Sequence, residues 1–283
     1  MKVRFIGVGS AFTTAEYYQS NAVIESDSGR RLLLDCGGDA RFALTEAGLK
    51  AADIDAVYVS HLHADHVGGL EWLAFTRYFS GTGRPRLFCV RELMRELWEG
   101  SLRGGLESVE EKVMNLTDYF DCRAVPINGR FLWEGILFTP VQTVHIMSGY
   151  KIVHSYGLVF QACAGSGGRG AEPAGAGAVF PAGRRTDTFQ PRGPRVFFTA
   201  DTQFCPSQIT KFYKSADLIF HDCETAPFHS RVHAHYDDLK TLPPEVKGKI
   251  WLYHYQPNPA QDPPADGFHG FVRRGQTFEI GAA

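Results

Sequence analysis

Short apolar runs alternate with polar and glycine-containing stretches in the first part of the chain, and they predict strands and helices in turn. Strand-like runs cover Val3–Val8, Ser20–Ser26, Arg31–Asp35 and Ala56–Val59. A hairpin turn is predicted at Ser28-Gly29. Residues 39–50, a stretch ending near Tyr78, and residues 91–105 carry apolar side chains at helical spacing. Three strand-like runs thus open the chain, and after them helices and strands follow one another, as in α/β proteins.

The second part of the chain repeats this pattern. Its strand-like runs are Leu137–Val141, Gly157–Gln161, Arg195–Thr199, Leu218–His221 and Ile250–Tyr253. A helix is predicted over residues 206–215. Two strand clusters, each beside mixed helical and strand stretches, indicate an α/β fold with a four-layer αββα sandwich.

Residues 161–194 interrupt the pattern. They are rich in Gly, Ala, Pro and Arg and lack a run of alternating apolar residues. This composition predicts a mobile insertion that buries little surface. It is either a tolerated loop or a basic arm that contacts a phosphate-bearing substrate. We expect the rest of residues 1–283 to form a single domain around it.

Composition and charge narrow the class of protein. The chain has 283 residues, 44% of them hydrophobic, and a net charge of −2, so no overall field attracts nucleic acid or an anionic membrane. The six cysteines are scattered, which is typical of reduced thiols rather than a disulfide framework. We find no signal-peptide run and no membrane-spanning stretch, so a cytoplasmic location is expected.

The segment His61-Leu62-His63-Ala64-Asp65-His66 carries the clearest chemical signal. Four side chains able to bind a metal lie within it, directly after the apolar run that ends at Val59. His61 and His63 are two residues apart, so on an extended backbone both imidazoles point to one side. Asp65 and His66 follow where a helix begins. Imidazole and carboxylate ligands together suit zinc, with manganese or iron as substitutes.

Further residues of the same types stand at or just beyond the ends of predicted strands. They are Asp35, His145, Asp201 and His254. Each alone is more often a structural residue than a ligand. Their order and type, combined with the His61–His66 segment, match the pattern of a known family.

These residues together resemble the signature of the metallo-β-lactamase fold superfamily of metal-dependent hydrolases, from residue 3 to about residue 256. The segments Phe5–Ala11, Leu34–Gly38 and Ser148–Ile152 look like those of its ribonuclease Z and phosphodiesterase branch. The oxidoreductase branch has Glu at the position of His63, so a hydrolytic centre is indicated.

The resemblance implies two divalent metal ions, with zinc first and manganese or iron as alternatives, and a hydroxide shared between the ions that attacks phosphorus. The first ion would be held by His61, His63 and His145. The second would be held by Asp65, His66 and His254. Asp201 would bridge both ions. Asp35 would orient the ligands without binding an ion itself.

The resemblance also implies a proton relay to the leaving oxygen. The branch has a His-Glu-Ala-Thr segment followed by a His-Ser-Thr segment; this chain has His221-Asp222-Cys223-Glu224-Thr225 and then His233-Ala234-His235. His233 would be the proton donor and Asp222 its partner. Asp222 replaces a Glu, and His235 replaces a small hydroxyl residue, so the choice between His233 and His235 stays open.

The branch contains several activities, so fold alone does not fix the substrate. The first expectation is a phosphodiesterase that acts on a small phosphodiester such as a cyclic nucleotide. A ribonuclease Z-like RNA 3′-end endonuclease, a lactonase or thioesterase, and a non-catalytic metal-bound binding scaffold are the alternatives. A homodimer is an open expectation, and no membrane partner is expected.

Overall fold

The computed structural model describes residues 1–164, 177–181 and 189–281. The strands are β1 (Lys2–Gly7), β2 (Asn21–Glu25), β3 (Arg31–Leu34), β4 (Ala56–Tyr58), β5 (Arg86–Val90), β6 (Ser108–Val109), β7 (Lys112–Val113), β8 (Asp121–Val125), β9 (Arg130–Trp133), β10 (Ile136–Ser148), β11 (Lys151–Ala164), β12 (Ala178–Phe180), β13 (Gln190–Phe198), β14 (Leu218–Asp222), β15 (Ile250–Tyr253), β16 (Gly270–Phe271) and β17 (Thr277–Glu279).

The helices lie between these strands. They are α1 (Ala40–Glu46), α2 (Ala64–Val67), α3 (Leu70–Ser80), α4 (Arg91–Glu96), α5 (Arg103–Leu106), α6 (Leu116–Tyr119), α7 (Pro206–Ser215), α8 (Tyr236–Leu239) and α9 (Pro244–Lys247), with a 3₁₀ turn at Ala51–Asp53 and a π-helical turn at Leu97–Leu102. The predicted helix over 91–105 is thus continuous but contains a π-helical stretch. Among the described residues, none of these helices combines the length and the apolar character needed to span a bilayer.

Two large sheets carry the fold. The first has the strand order β17-β1-β2-β3-β4-β5-β8 and is parallel from β3 to β8. The second has the order β12-β9-β10-β11-β13-β14-β15-β16 and is parallel from β13 to β16. The carboxyl ends of parallel strands share one edge of a sheet, which is where ligand sites of open α/β sheets lie.

The sheets pack face to face through a layer rich in aromatic rings. Leu32 and Leu34 of β3 point into this layer and Leu33 points to the opposite side, as alternation along a strand requires. Phe131 stacks on Phe88 of the first sheet and Phe138 of the second, with ring centroids 4.3 and 4.7 Å away. The layer therefore holds the two sheets together by apolar burial.

Helices cover the outer face of each sheet. Leu44 of α1 and Leu73 of α3 are buried against the first sheet. Ile209 of α7, Leu239 of α8 and Val246 of α9 are buried against the second. The predicted four-layer αββα sandwich is confirmed.

The structure places several residues of the predicted insertion at 161–194 in strands rather than in a loop. Residues 161–164 end β11, residues 178–180 form β12, and residues 190–194 begin β13. Pairing of β12 with β9 and of β13 with β11 uses backbone hydrogen bonds, so these strands form without an alternating apolar pattern. Residues 165–176 and 182–188, on which the rest of that prediction falls, lie outside the described residues.

Candidate active site

The candidate site lies where strands of both sheets end. Asp35 follows β3, Asp201 follows β13 by way of Ala200, and His254 follows β15. Asp35, Ala200 and His254 adopt left-handed backbone conformations, with φ of 59°, 51° and 66°. Such conformations are costly for residues other than glycine and cluster at functional sites. The turns at these strand ends point the side chains toward one centre.

One group of three histidines meets at this centre. Nε2 of His61 lies 3.1 Å from Nδ1 of His63, which lies 3.0 Å from Nε2 of His145. His61 and His145 are buried, and His63 is half-buried. Burial lowers the pKa of all three imidazoles, so each favours the neutral form with a lone pair. Neutral imidazole is the form that binds a metal ion.

A second, fully buried group contains two carboxylates and two histidines. Asp65 Oδ2 lies 3.2 Å from Nε2 of His66 and 3.3 Å from Nε2 of His254. Asp201 Oδ2 lies 3.3 and 3.4 Å from the same two nitrogen atoms. Four donor atoms thus surround a space of the size that a cation occupies.

Asp201 stands between the two groups. Its Oδ2 is also 3.7 Å from Nε2 of His61 and 3.8 Å from Nε2 of His145. Its Oδ1 is buried and has no hydrogen-bond partner among the residues that the structure describes. A buried carboxylate oxygen without a partner is costly, and a cation would satisfy it. The donor set therefore fits divalent cations in both groups.

The charges of the second group depend on whether a cation is present. Burial opposes ionisation of Asp201, but His254 and His66 outweigh it and hold its pKa well below the usual range. Burial likewise opposes protonation of His254, but Asp201 and Asp222 raise its pKa to about 10. The same balance, with Asp201 and Asp65 as partners, raises the pKa of His66. Without a cation, protonated histidines supply the positive charge that the carboxylates require.

The Asp35 carboxylate accepts hydrogen bonds that hold the candidate ligands in place. Its Oδ2 accepts from Nδ1 of His66 at 2.8 Å and from Oγ of Ser60 at 2.7 Å, and its Oδ1 accepts from the Ser60 amide at 2.8 Å. Ser60 Oγ also lies 3.0 Å from Nδ1 of His61. These bonds orient both rings with Nε2 toward the centre. Sequence reasoning missed the role of Ser60, although its place directly before His61 could have suggested it.

His233 and Asp222 lie together at the side of the centre. Nδ1 of His233 is 2.9 Å from Oδ2 of Asp222 and 3.8 Å from Oδ2 of Asp201. Burial opposes protonation of His233, but the Asp222 carboxylate raises its pKa. His235 lies elsewhere: Nε2 donates to the Ala226 carbonyl, and Nδ1 accepts the first-turn amide of α8. The geometry therefore favours His233 over His235 as a proton donor.

Comparison with known proteins places the chain in a sequence family. The profile of the family described as Anti-Pycsar protein Apyc1 matches residues 1–169 and 184–278. A protein of that description from Paenibacillus harenae is 34% identical over 257 residues, covering 90% of each chain. Another from Saccharibacillus brassicae is 32% identical over 99% of this chain and 100% of that protein.

Solved structures with the same fold cover nearly the whole chain. The metallo-β-lactamase fold protein YhfI from Bacillus subtilis has a TM-score of 0.69 at 18% identity, and 98% of each chain is aligned. The short form of human tRNase Z has a TM-score of 0.66 at 15% identity, over 99% of this chain and 100% of that one. These likenesses confirm the predicted metallo-β-lactamase fold.

Proposed function

We propose that this chain, which belongs to the Anti-Pycsar protein Apyc1 family, cleaves a small cyclic phosphodiester with the help of two divalent metal ions. The family assignment bears out the predicted enzyme class, a metal-dependent hydrolase of phosphodiesterase type. The substrate, the identity and number of the ions, and the roles of individual residues are the proposed part. Cytoplasmic location and a homodimer stay predictions from sequence.

One observation carries the proposal: Asp201 Oδ2 lies within 3.8 Å of ring nitrogens from both donor groups. An oxygen in that position suits a ligand shared by two ions. His61, His63 and His145 would hold one ion, and Asp65, His66 and His254 the other. Imidazole-rich sites with carboxylates favour zinc, with manganese or iron as substitutes. Two ions in such a site would activate water and stabilise negative charge on the phosphoryl oxygens.

His233 would complete the reaction. Its Nδ1 is held by Asp222, so Nε2 is left to carry the proton that the leaving oxygen needs. A water molecule gives up one proton to solvent, and its oxygen forms a new bond to phosphorus while the bond from phosphorus to the ester oxygen breaks. That ester oxygen takes the Nε2 proton of His233, and solvent returns a proton afterwards. A sugar alkoxide is a poor leaving group, so this proton is important for a cyclic nucleotide.

Hydrolysis of a mixture of 3′,5′-cyclic nucleotides, with Mn²⁺ or Zn²⁺ added and the products separated by chromatography, tests the proposal. We expect conversion to mononucleotides that is lost in Asp65→Ala. Asp27→Ala is the matched control, because Asp27 is an exposed carboxylate far from the site along the chain. Cleavage of RNA 3′ ends or of acyl substrates alone, by folded and metal-loaded protein, would instead support the ribonuclease or the lactonase and thioesterase alternatives.

A further inference from the structure

A buried tyrosine–histidine pair lies directly behind the relay, on the helical side of the second sheet. His221 precedes Asp222 in β14, so the two side chains point to opposite faces of the sheet. Asp222 faces the candidate site, and His221 faces the outer layer, where Tyr213 of α7 meets it. His221 is fully buried and Tyr213 is 3% exposed. Nothing in the proposed reaction yet uses this pair.

The hydrogen bonds of the pair have a fixed direction. Nδ1 of His221 lies 2.6 Å from the backbone oxygen of Asp222, which can only accept, so Nδ1 carries the proton. Nε2 must then accept from the Tyr213 hydroxyl, 2.6 Å away. Burial lowers the pKa of His221 and raises that of Tyr213, which keeps both groups neutral. The Asp222 carbonyl therefore fixes the imidazole tautomer, and the phenol donates to the ring nitrogen that this tautomer leaves as an acceptor.

Hydrogen bonds consequently restrain the amide, the carbonyl and the carboxylate of Asp222. Its amide donates to Oγ1 of Thr199 at 2.9 Å, and its carbonyl accepts from His221. Its Oδ2 accepts from the Thr202 amide and from Nδ1 of His233, both at 2.9 Å. The backbone bonds fix the peptide planes, and the planes fix the direction in which the carboxylate leaves the strand. Loss of the bond from His221 would leave this end of β14 less restrained, and with it the contact between the Asp222 carboxylate and His233.

We propose that Tyr213 and His221 are positioning residues that fix Asp222, and through it align His233 for proton donation to the leaving oxygen. The inference rests on the proposed function, because it assigns a task to the relay of that reaction. It extends the relay to α7, a helix that contributes no candidate metal ligand among the described residues. A purely structural pair would affect all substrates equally, whereas a positioning pair affects only those whose leaving group needs a proton.

The test measures how one minimal substitution changes kcat for each of two substrates. Tyr213→Phe removes a single oxygen and keeps the ring in place. We expect kcat for a 3′,5′-cyclic nucleotide to fall by on the order of 10²-fold, the effect of a misplacement near 1 Å. The kcat for bis(p-nitrophenyl) phosphate should stay within about threefold, because p-nitrophenolate departs without a proton and the general acid contributes little. Metal content should be unchanged.

Three further variants sharpen the comparison. Tyr119→Phe is the matched control, because it removes another buried hydroxyl, one that donates to the Leu106 carbonyl at 2.8 Å behind the first sheet. It should show no difference between the two substrates. His221→Asn keeps an N–H donor near the position of Nδ1 and should retain most of the activity toward the cyclic nucleotide. His221→Leu, which has no donor, should lose it.

The outcomes separate this inference from the proposed function. Equal losses on both substrates, or no loss on either, would overturn the positioning role while leaving the phosphodiesterase intact. If wild-type protein cleaves only the aryl diester, the cyclic nucleotide proposal fails. The positioning role is then decided by the NMR signal of the His233 Nδ1 proton, which should stay sharp in Tyr119→Phe and weaken in Tyr213→Phe. An unchanged signal in both variants would refute the role.

Discussion

Replacing Gly37 by alanine should disturb the His61–His66 segment without replacing any candidate ligand. Gly37 lies two residues after Asp35, and a Cβ atom built on it would stand 2.0 Å from the backbone oxygen of Asp65 and 2.7 Å from its carbonyl carbon. Contacts of a real Cβ atom below 3.0 Å essentially do not occur. Both atoms belong to backbone, so no side chain can rotate away. The segment after β3 and the first turn of α2 must separate by about 1 Å.

The expected cost follows from that separation. Overpacking of this kind costs about 1–3 kcal/mol of unfolding free energy. The movement also displaces Asp65, and a change of ligand orientation typically lowers metal affinity by about 10–100-fold. Gly38→Ala is the matched control, because its Cβ atom would meet only the side-chain oxygen of Gln19, at 3.4 Å. Both substitutions change the entropy of the unfolded chain alike.

The assay has two parts. Thermal unfolding in the presence of a chelator measures stability without the contribution of bound metal. Competition with a chromophoric chelator then measures zinc affinity. We expect Gly37→Ala to have a lower midpoint of unfolding and a lower zinc affinity than Gly38→Ala. The steric reasoning fails if the two variants have the same midpoint of unfolding and the same zinc affinity.

Three further predictions concern the candidate site itself. Asp35→Asn leaves one acceptor oxygen for the donors of Ser60 and His66, so zinc affinity measured by chelator competition should fall by about 10–100-fold; unchanged affinity would contradict this. His233→Gln should lower kcat for cyclic nucleotides by on the order of 10²–10⁴ at normal metal content, and full activity would exclude His233 as the donor. Against the effect of burial, the neighbouring carboxylates raise the pKa of His66, and that of His254 to about 10, so zinc must displace protons from this group in order to bind. Zinc binding should therefore release protons into weakly buffered indicator solution at neutral pH, and fewer as the pH approaches the raised pKa values.

Much of the fold could be predicted because its physical causes are local. Leu32, Leu33 and Leu34 form an unbroken apolar run, which marks a strand buried on both faces. The structure places their side chains in two different apolar layers. The His61–His66 segment could be recognised for the same reason, since its side chains are brought together by one short turn. Local periodicity could not reveal β12, whose pairing with β9 depends on backbone bonds to a partner far along the chain.

The contacts that sequence could not supply are those between different elements that the fold brings together. His233 meets Asp222 across a loop, and Tyr213 of α7 meets His221 where the helical layer packs on the second sheet. Neither pairing has a periodicity that a sequence pattern could show. Resemblance to a family suggested the first pair, because its two segments occur in a fixed order. It gave no sign of the second pair.

Asp222 stands where the ribonuclease Z and phosphodiesterase branch has Glu, and it still meets the proposed proton donor. The side chain is one methylene shorter, yet Oδ2 of Asp222 still reaches Nδ1 of His233 at 2.9 Å. Its other oxygen lies 3.4 Å from Nδ1 of His254, which belongs to the second donor group. One carboxylate therefore contacts both a candidate metal ligand and the candidate proton donor. Four backbone and side-chain neighbours restrain Asp222, which keeps its Oδ2 within hydrogen-bonding distance of His233.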